Sequence, residues 1–187
     1  MNNPNKIILH HSLTKDGKVV DFNAIKRYHM QVRGWSDIGY HYVIEKVGDK
    51  YEILKGRDEK TPGAHCKEQH CNFESIGICL VGNFDIAEPP QAQLDKLYEL
   101  LEDIFKRYGK MKIYGHNHFA KYKSCPGTKF PMNKVLAEAF QRKKKHWAEK
   151  CFINLNNKGI TIHEKRFNDP ITRGEVFALL DQLTDRK

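Results

Sequence analysis

Two periods of apolar residues alternate along this chain. Ile7-Ile8-Leu9, in the run Lys6 to His10, is short, apolar and ends on paired histidines, which predicts a buried strand. From Asp21 to about Val32 the period lengthens. Ala24, Ile25, Tyr28 and Val32 lie at helical spacing, Asp21 stands where an N-cap belongs, and Gly34 stands where the helix would stop. At that spacing Phe22, Tyr28 and Trp35 read as core in preference to a carbohydrate-stacking strip. Gly39 to Ile44 is β-branched and aromatic, and Tyr51 to Leu54 is its hairpin partner across Val47-Gly48-Asp49-Lys50. Arg57 to Phe73 is polar and predicts a long loop, a length that is often functional.

Ser75 to Val81, ending at Gly82, predicts a central strand. Pro89-Pro90 breaks the chain before a helix from Gln91 to Tyr108, whose buried face is Leu94, Leu97, Leu101, Ile104 and Phe105. Lys112 to Tyr114 is a short strand delivering Gly115-His116. An irregular loop follows to Gly127, and a last helix runs from about Asn133 into Arg142-Lys143-Lys144-Lys145. Strands alternating with helices predict an α/β domain: a mixed central β-sheet flanked by helices, plus a small C-terminal helical segment. The expected division is a main domain at 1–140, a basic helical linker at 141–149 and a segment at 150–187, which is too short to hold a core alone.

Composition adds exclusions. Mean hydropathy is -0.68 and no stretch approaches the ~20 apolar residues of a spanning helix, so no membrane span is expected. The first residues, MNNPNKIILHHS, lack a basic n-region and a long apolar core; synthesis in the cytoplasm without a signal peptide is the expectation. Five irregularly spaced cysteines do not resemble a disulfide framework, and each reduced thiol is a candidate metal ligand. Net charge is +9, which favours an anionic partner such as nucleic acid, a membrane surface or an anionic cell wall, and charge alone does not choose among them. The Arg142 to Lys145 run has no interleaved aromatics, so a solvated helix face is expected there and no nucleic acid.

The candidate chemistry sits at strand ends. His10 closes the first strand, His116 follows a late one, and Cys125 comes nine positions after His116. Two imidazoles and a thiolate are suitable for a catalytic zinc site, which needs three protein ligands and one open position. By residue type alone, ten histidines and five cysteines allow many such trios. His65-Cys66 with His70-Cys71 is a second metal-type grouping, but its spacing fits neither a finger nor a ribbon and reads as a polar loop. Cys79, inside an apolar strand, reads as packing. Cys125 could also be a nucleophile paired with a histidine.

The order of motifs narrows this. Ile7-Ile8-Leu9-His10-His11-Ser12 is followed by Asp37-Ile38-Gly39-Tyr40-His41-Tyr42, Gly56-Arg57-Asp58 and Gly63-Ala64-His65. Ser75-Ile76-Gly77-Ile78-Cys79-Leu80-Val81-Gly82, Gly115-His116 and Lys123-Ser124-Cys125-Pro126-Gly127 complete the series. This succession resembles the type 2 N-acetylmuramoyl-L-alanine amidases, which share a fold with the peptidoglycan-recognition proteins. It is most similar to the phage amidases that keep a cysteine as third ligand. The resemblance covers about residues 5 to 140.

The resemblance implies one zinc per chain held by His10, His116 and Cys125, with Tyr40 and Lys123 assisting catalysis and His65 and His11 facing the substrate groove. It implies hydrolysis of the bond between N-acetylmuramic acid and L-alanine in bacterial peptidoglycan by a phage or prophage endolysin released through a pore-forming partner. Alternatives are a cytoplasmic muropeptide-recycling amidase and a non-catalytic peptidoglycan-binding module. Some amidases of this fold use a glutamate base where this chain has Cys79, which shifts the burden to Tyr40. An unperturbed phenol has a pKa near 10, so a nearby cation would help Tyr40 act. His118 and the loop to Cys125 depart from the family pattern. Beyond it, Asn168-Asp169-Pro170-Ile171-Thr172-Arg173-Gly174-Glu175 looks like part of an S-layer-homology repeat, with Thr172 and Glu175 placed as a capping box, and suggests wall binding or homodimerisation.

Overall fold

The structure, a computed structural model, describes residues 1–14 and 21–141 with isolated positions beyond, within a compact unit spanning Met1–Arg142. The basic run and the C-terminal segment, with the wall-binding and homodimer expectations attached to them, lie outside the described residues.

Five strands form one mixed sheet: β1 (Lys6–His11), β2 (Tyr42–Val47), β3 (Lys50–Lys55), β4 (Ser75–Leu80) and β5 (Lys112–Gly115), in the order β3-β2-β4-β1-β5. β1 is parallel to both β4 and β5, β2 is parallel to β4, and the β2–β3 hairpin is antiparallel, as its two-residue Gly48-Asp49 turn requires. β2, β4 and β1 are the inner strands, and the runs of β1 and β4 at the centre are buried on both faces.

Helix α3 (Gln91–Tyr108) covers one face. Leu94, Leu97, Leu101 and Ile104 follow its helical period and pack on Ile7, Leu9, Ile76, Ile78 and Leu80. Each fully buried aliphatic side chain of this kind stabilises the fold by about 1.5–3 kcal/mol. Gln93 is buried where a polar side chain is costly, and its amide offsets this by donating to the carbonyls of Ile44 and Val81 at 3.0 and 2.9 Å. Helix α4 (Met132–Gln141) packs beside α3.

The opposite face carries α1 (Phe22–Arg27), capped by the Asp21 carboxylate accepting from the Ala24 N–H at 2.7 Å. Here the expected apolar stripe fails. The chain winds as a π-helix over Tyr28–Val32, with the Arg33 N–H donating to the Tyr28 carbonyl at 3.1 Å. That wider turn changes the register. Tyr28 and Val32 are exposed at 52% and 68%, and His29 turns inward instead. Its Nδ1 accepts from the Gly39 N–H at 3.0 Å and its ring packs on Trp35. The polar loop after β3 contains a short helix, α2 (Cys71–Glu74).

Candidate metal centre and active site

Paired residues on adjacent parallel strands point to the same face. The register aligns Leu9 with Gly115 and His10 with Cys79. His116 comes one residue beyond β5, so β1 and β5 deliver His10 and His116 side by side at the carboxyl edge of the sheet. Their ring centroids are 4.6 Å apart at 64°. The loop after β5 then folds back, the Asn117 N–H donating to the Cys125 carbonyl at 2.7 Å. It brings the Cys125 Sγ to 3.6 Å from His10 Nδ1. One donor atom from each of His10, His116 and Cys125 lies within 4.8 Å of the others.

These three residues fit a metal ion by geometry and by charge. With Zn–N of about 2.05 Å and Zn–S of about 2.3 Å, nitrogen and sulfur on one tetrahedral zinc stand about 3.5 Å apart. The His10 Nδ1–Cys125 Sγ separation is of that size. Burial, with the charges of His65, His116 and Lys123, holds the His10 pKa well below its usual value. Burial and Lys123 also lower that of His116. Both rings are therefore neutral near pH 7 and keep a lone pair free. Burial pushes the Cys125 thiol up to about 11. A thiolate–imidazolium nucleophile needs the reverse pair of shifts. A cation bound here would supply the charge that makes Cys125 a thiolate.

The remaining expected site residues fall into two groups. Tyr40 lies within this cluster, its ring centroid 5.2 Å from that of His10. Lys123 is exposed, two residues before Cys125. The cation anticipated beside Tyr40 is not what sets its phenol. Burial, Cys79 and Cys125 push its pKa well above 10, so it stays protonated and can donate. His65 is buried behind His10, with its Nδ1 3.1 Å from His10 Nε2. His11, expected beside the groove, points to the face opposite His10 because side chains alternate along β1. Its Nδ1 accepts from the Phe84 N–H at 3.2 Å.

Residues 1–128 match the N-acetylmuramoyl-L-alanine amidase family. The chain belongs to that family. It is 35% identical over 125 residues to the endolysin of Escherichia phage T7, spanning 64% of this chain and 78% of that one. It is 33% identical over 129 residues to peptidoglycan-recognition protein SC2 of Drosophila melanogaster, spanning 65% and 67%. Among solved structures it is similar to the N-acetylmuramoyl-L-alanine amidase LysC from Clostridium intestinale URNW, with a TM-score of 0.63, 31% identity, and coverage of 73% of this chain and 85% of that one.

Several residues that shape this amidase's site were not legible as such in its sequence. Arg57 donates to the carbonyls of Ile38, Pro62 and Asp37, tying the segment that carries Tyr40 to the loop that carries His65. Asp85 accepts from the Ser124 hydroxyl and the Thr128 N–H, both at 2.7 Å, which anchors the loop bearing Cys125. The His65-Cys66 and His70-Cys71 grouping does not assemble among the described residues, because His65 turns to His10 and His70 is exposed. A different trio does: Cys66, Glu68 and His116 bring donor atoms within 4.8 Å of one another.

Proposed function

We propose that this amidase is a zinc-dependent endolysin that cleaves the amide between N-acetylmuramic acid and L-alanine in bacterial peptidoglycan. The convergence of His10, His116 and Cys125 at the carboxyl edge of the sheet carries the reading, since three protein donors would leave one tetrahedral position open. His10, His116 and Cys125 hold the ion. When bound, zinc supplies Lewis-acid polarisation and lowers the pKa of water at the site to about 7.

The protein's own groups do the rest. Tyr40, kept protonated by its surroundings, donates its O–H to charge developing on the scissile carbonyl or to the attacking water. Lys123 brings an ammonium to the same charge from the exposed loop two residues before Cys125. His65 orients His10 from behind, and His11 supports the Cys125 side through Phe84 and its own backbone N–H, which donates to the thiol sulfur. The endolysin relatives support a phage or prophage role, in which the enzyme acts on the wall after release through a pore-forming partner. The net charge of +9 favours retention on an anionic wall, and the segment at 150–187 is proposed to add wall contact or to pair two chains.

The test is hydrolysis of purified peptidoglycan with and without a chelator, reading new muramoyl and L-alanine ends by mass spectrometry. Cleavage abolished by chelator and restored by zinc is expected. Chelator-resistant cleavage would favour Cys125 as a nucleophile, and no cleavage by zinc-loaded protein would favour a binding module.

A further inference from the structure

The loop between the Gly63-Ala64-His65 motif and α2 places one carboxylate against the far side of His116. Glu68 Oε2 lies 3.6 Å from His116 Nε2, and the two side chains are only 18% and 5% exposed. The other carboxylate oxygen, Oε1, is held by the Tyr122 hydroxyl at 2.8 Å, while Cys66 Sγ lies 3.6 Å from Oε2. Tyr122 belongs to the loop between His116 and Cys125, so that loop supplies both the ring and the hydroxyl that fixes the carboxylate. His116 Nε2 is buried and otherwise lacks a hydrogen-bond partner.

A neutral imidazole carries one proton on one of two nitrogens, and only the bare nitrogen can bind a metal. A buried N–H without an acceptor costs about 1–3 kcal/mol, enough to decide between tautomers. We propose that Glu68 is a positioning residue for the metal centre: its carboxylate, strapped by Tyr122, accepts the Nε2–H of His116 and so leaves Nδ1 bare toward His10 and Cys125. This rests on the metal-centre reading above. The 3.6 Å separation is longer than a hydrogen bond, so the assignment requires the carboxylate to move closer to the ring while Tyr122 holds its other oxygen. A second ion on Cys66, Glu68 and His116 would instead take both ring nitrogens of His116 and remove its last proton, a costlier state.

Two measurements on the full chain test this. Long-range nitrogen–proton NMR of metal-free protein reads the His116 tautomer directly. The Nε2–H form is expected in wild type and a shift toward Nδ1–H in Glu68→Ala, with Glu68→Gln, which retains a neutral acceptor, in between. Competition for zinc against a chromogenic chelator should show Glu68→Ala weakened about 10- to 100-fold, Tyr122→Phe weakened less, and Glu68→Gln partly rescued. Circular dichroism confirms that each variant is folded. An unchanged tautomer and unchanged zinc affinity in Glu68→Ala would overturn the assignment. So would two zinc ions per wild-type chain falling to one in that variant, which would make the trio a metal site. If wild type and Cys125→Ala bind zinc equally weakly, the metal-centre reading fails. The tautomer measurement still reports on Glu68 in that case, because it uses no metal.

Discussion

His65 Nδ1 lies 3.1 Å from His10 Nε2, and the Nδ1 of His10 faces Cys125. One imidazole thus sets the proton of another. If His10 gives its Nδ1 lone pair to a metal, its Nε2 carries the proton and donates to His65. Burial, followed by the charges of neighbouring groups, lowers the pKa of both rings, so the pair is neutral and the arrangement holds across neutral pH. His65→Ala should therefore lower zinc affinity about 10- to 100-fold without removing a ligand. Chelator competition checks it, and an unchanged affinity would reduce His65 to packing.

Gly77 is the next link. It lies in β4, and a Cβ added there would come within 2.4 Å of the His65 ring carbon Cδ2. The ring is confined by its contact with His10 and by the nearby His41 ring. Gly77→Ala should destabilise the fold by about 1–3 kcal/mol through overpacking. It should also displace His65, so zinc affinity falls together with the denaturation midpoint. A loss of stability with unaltered affinity would mean that the ring moves without disturbing His10.

These relationships mark what can and cannot be read from sequence. The β1 run, the α3 stripe and the β2–β3 hairpin were legible because each presents one period and one set of neighbours. The turn after Arg27 was not, because a π-helical winding leaves the same residues in sequence but rotates Val32 to solvent and His29 inward. His10 and His116 stand at strand ends, where motif order identifies them. The side on which His11 falls depends on the pleat, and the partners of His116 depend on a loop whose own period says nothing. Glu68 reads as one more loop acid until the fold sets it against a buried ring.

Tyr40 and Lys123 can be separated from the proposed ligands. Tyr40 sits beside the donor trio and is protonated at neutral pH; Lys123 stands exposed near Cys125. Tyr40→Phe keeps the ring and loses only the hydroxyl. Turnover of peptidoglycan should fall about 10²- to 10⁴-fold, with one zinc per chain retained. Lys123→Ala should fall about 10²- to 10³-fold, again with zinc retained. Wild-type turnover in either variant would remove its assigned role, and loss of zinc in either would make that residue structural for the site.

Zinc binding should release one proton per ion near neutral pH, and the shifts on the three donors say where it comes from. His10 and His116 have lowered pKa values, so above those values they are already neutral and give up nothing. Cys125 is raised to about 11, so below that pH it is a thiol and must lose its proton to become a ligand. Zinc affinity should then rise about tenfold per pH unit between roughly pH 7 and 9, with the slope set by that single group. Replacement of Cys125 by histidine, a ligand neutral in this range, should flatten the slope while preserving some binding. Calorimetry in buffers of different ionisation enthalpy counts the protons: a value near one supports Cys125 as the titrating ligand, and a value near zero would place the metal elsewhere or require a thiolate already formed in the metal-free protein.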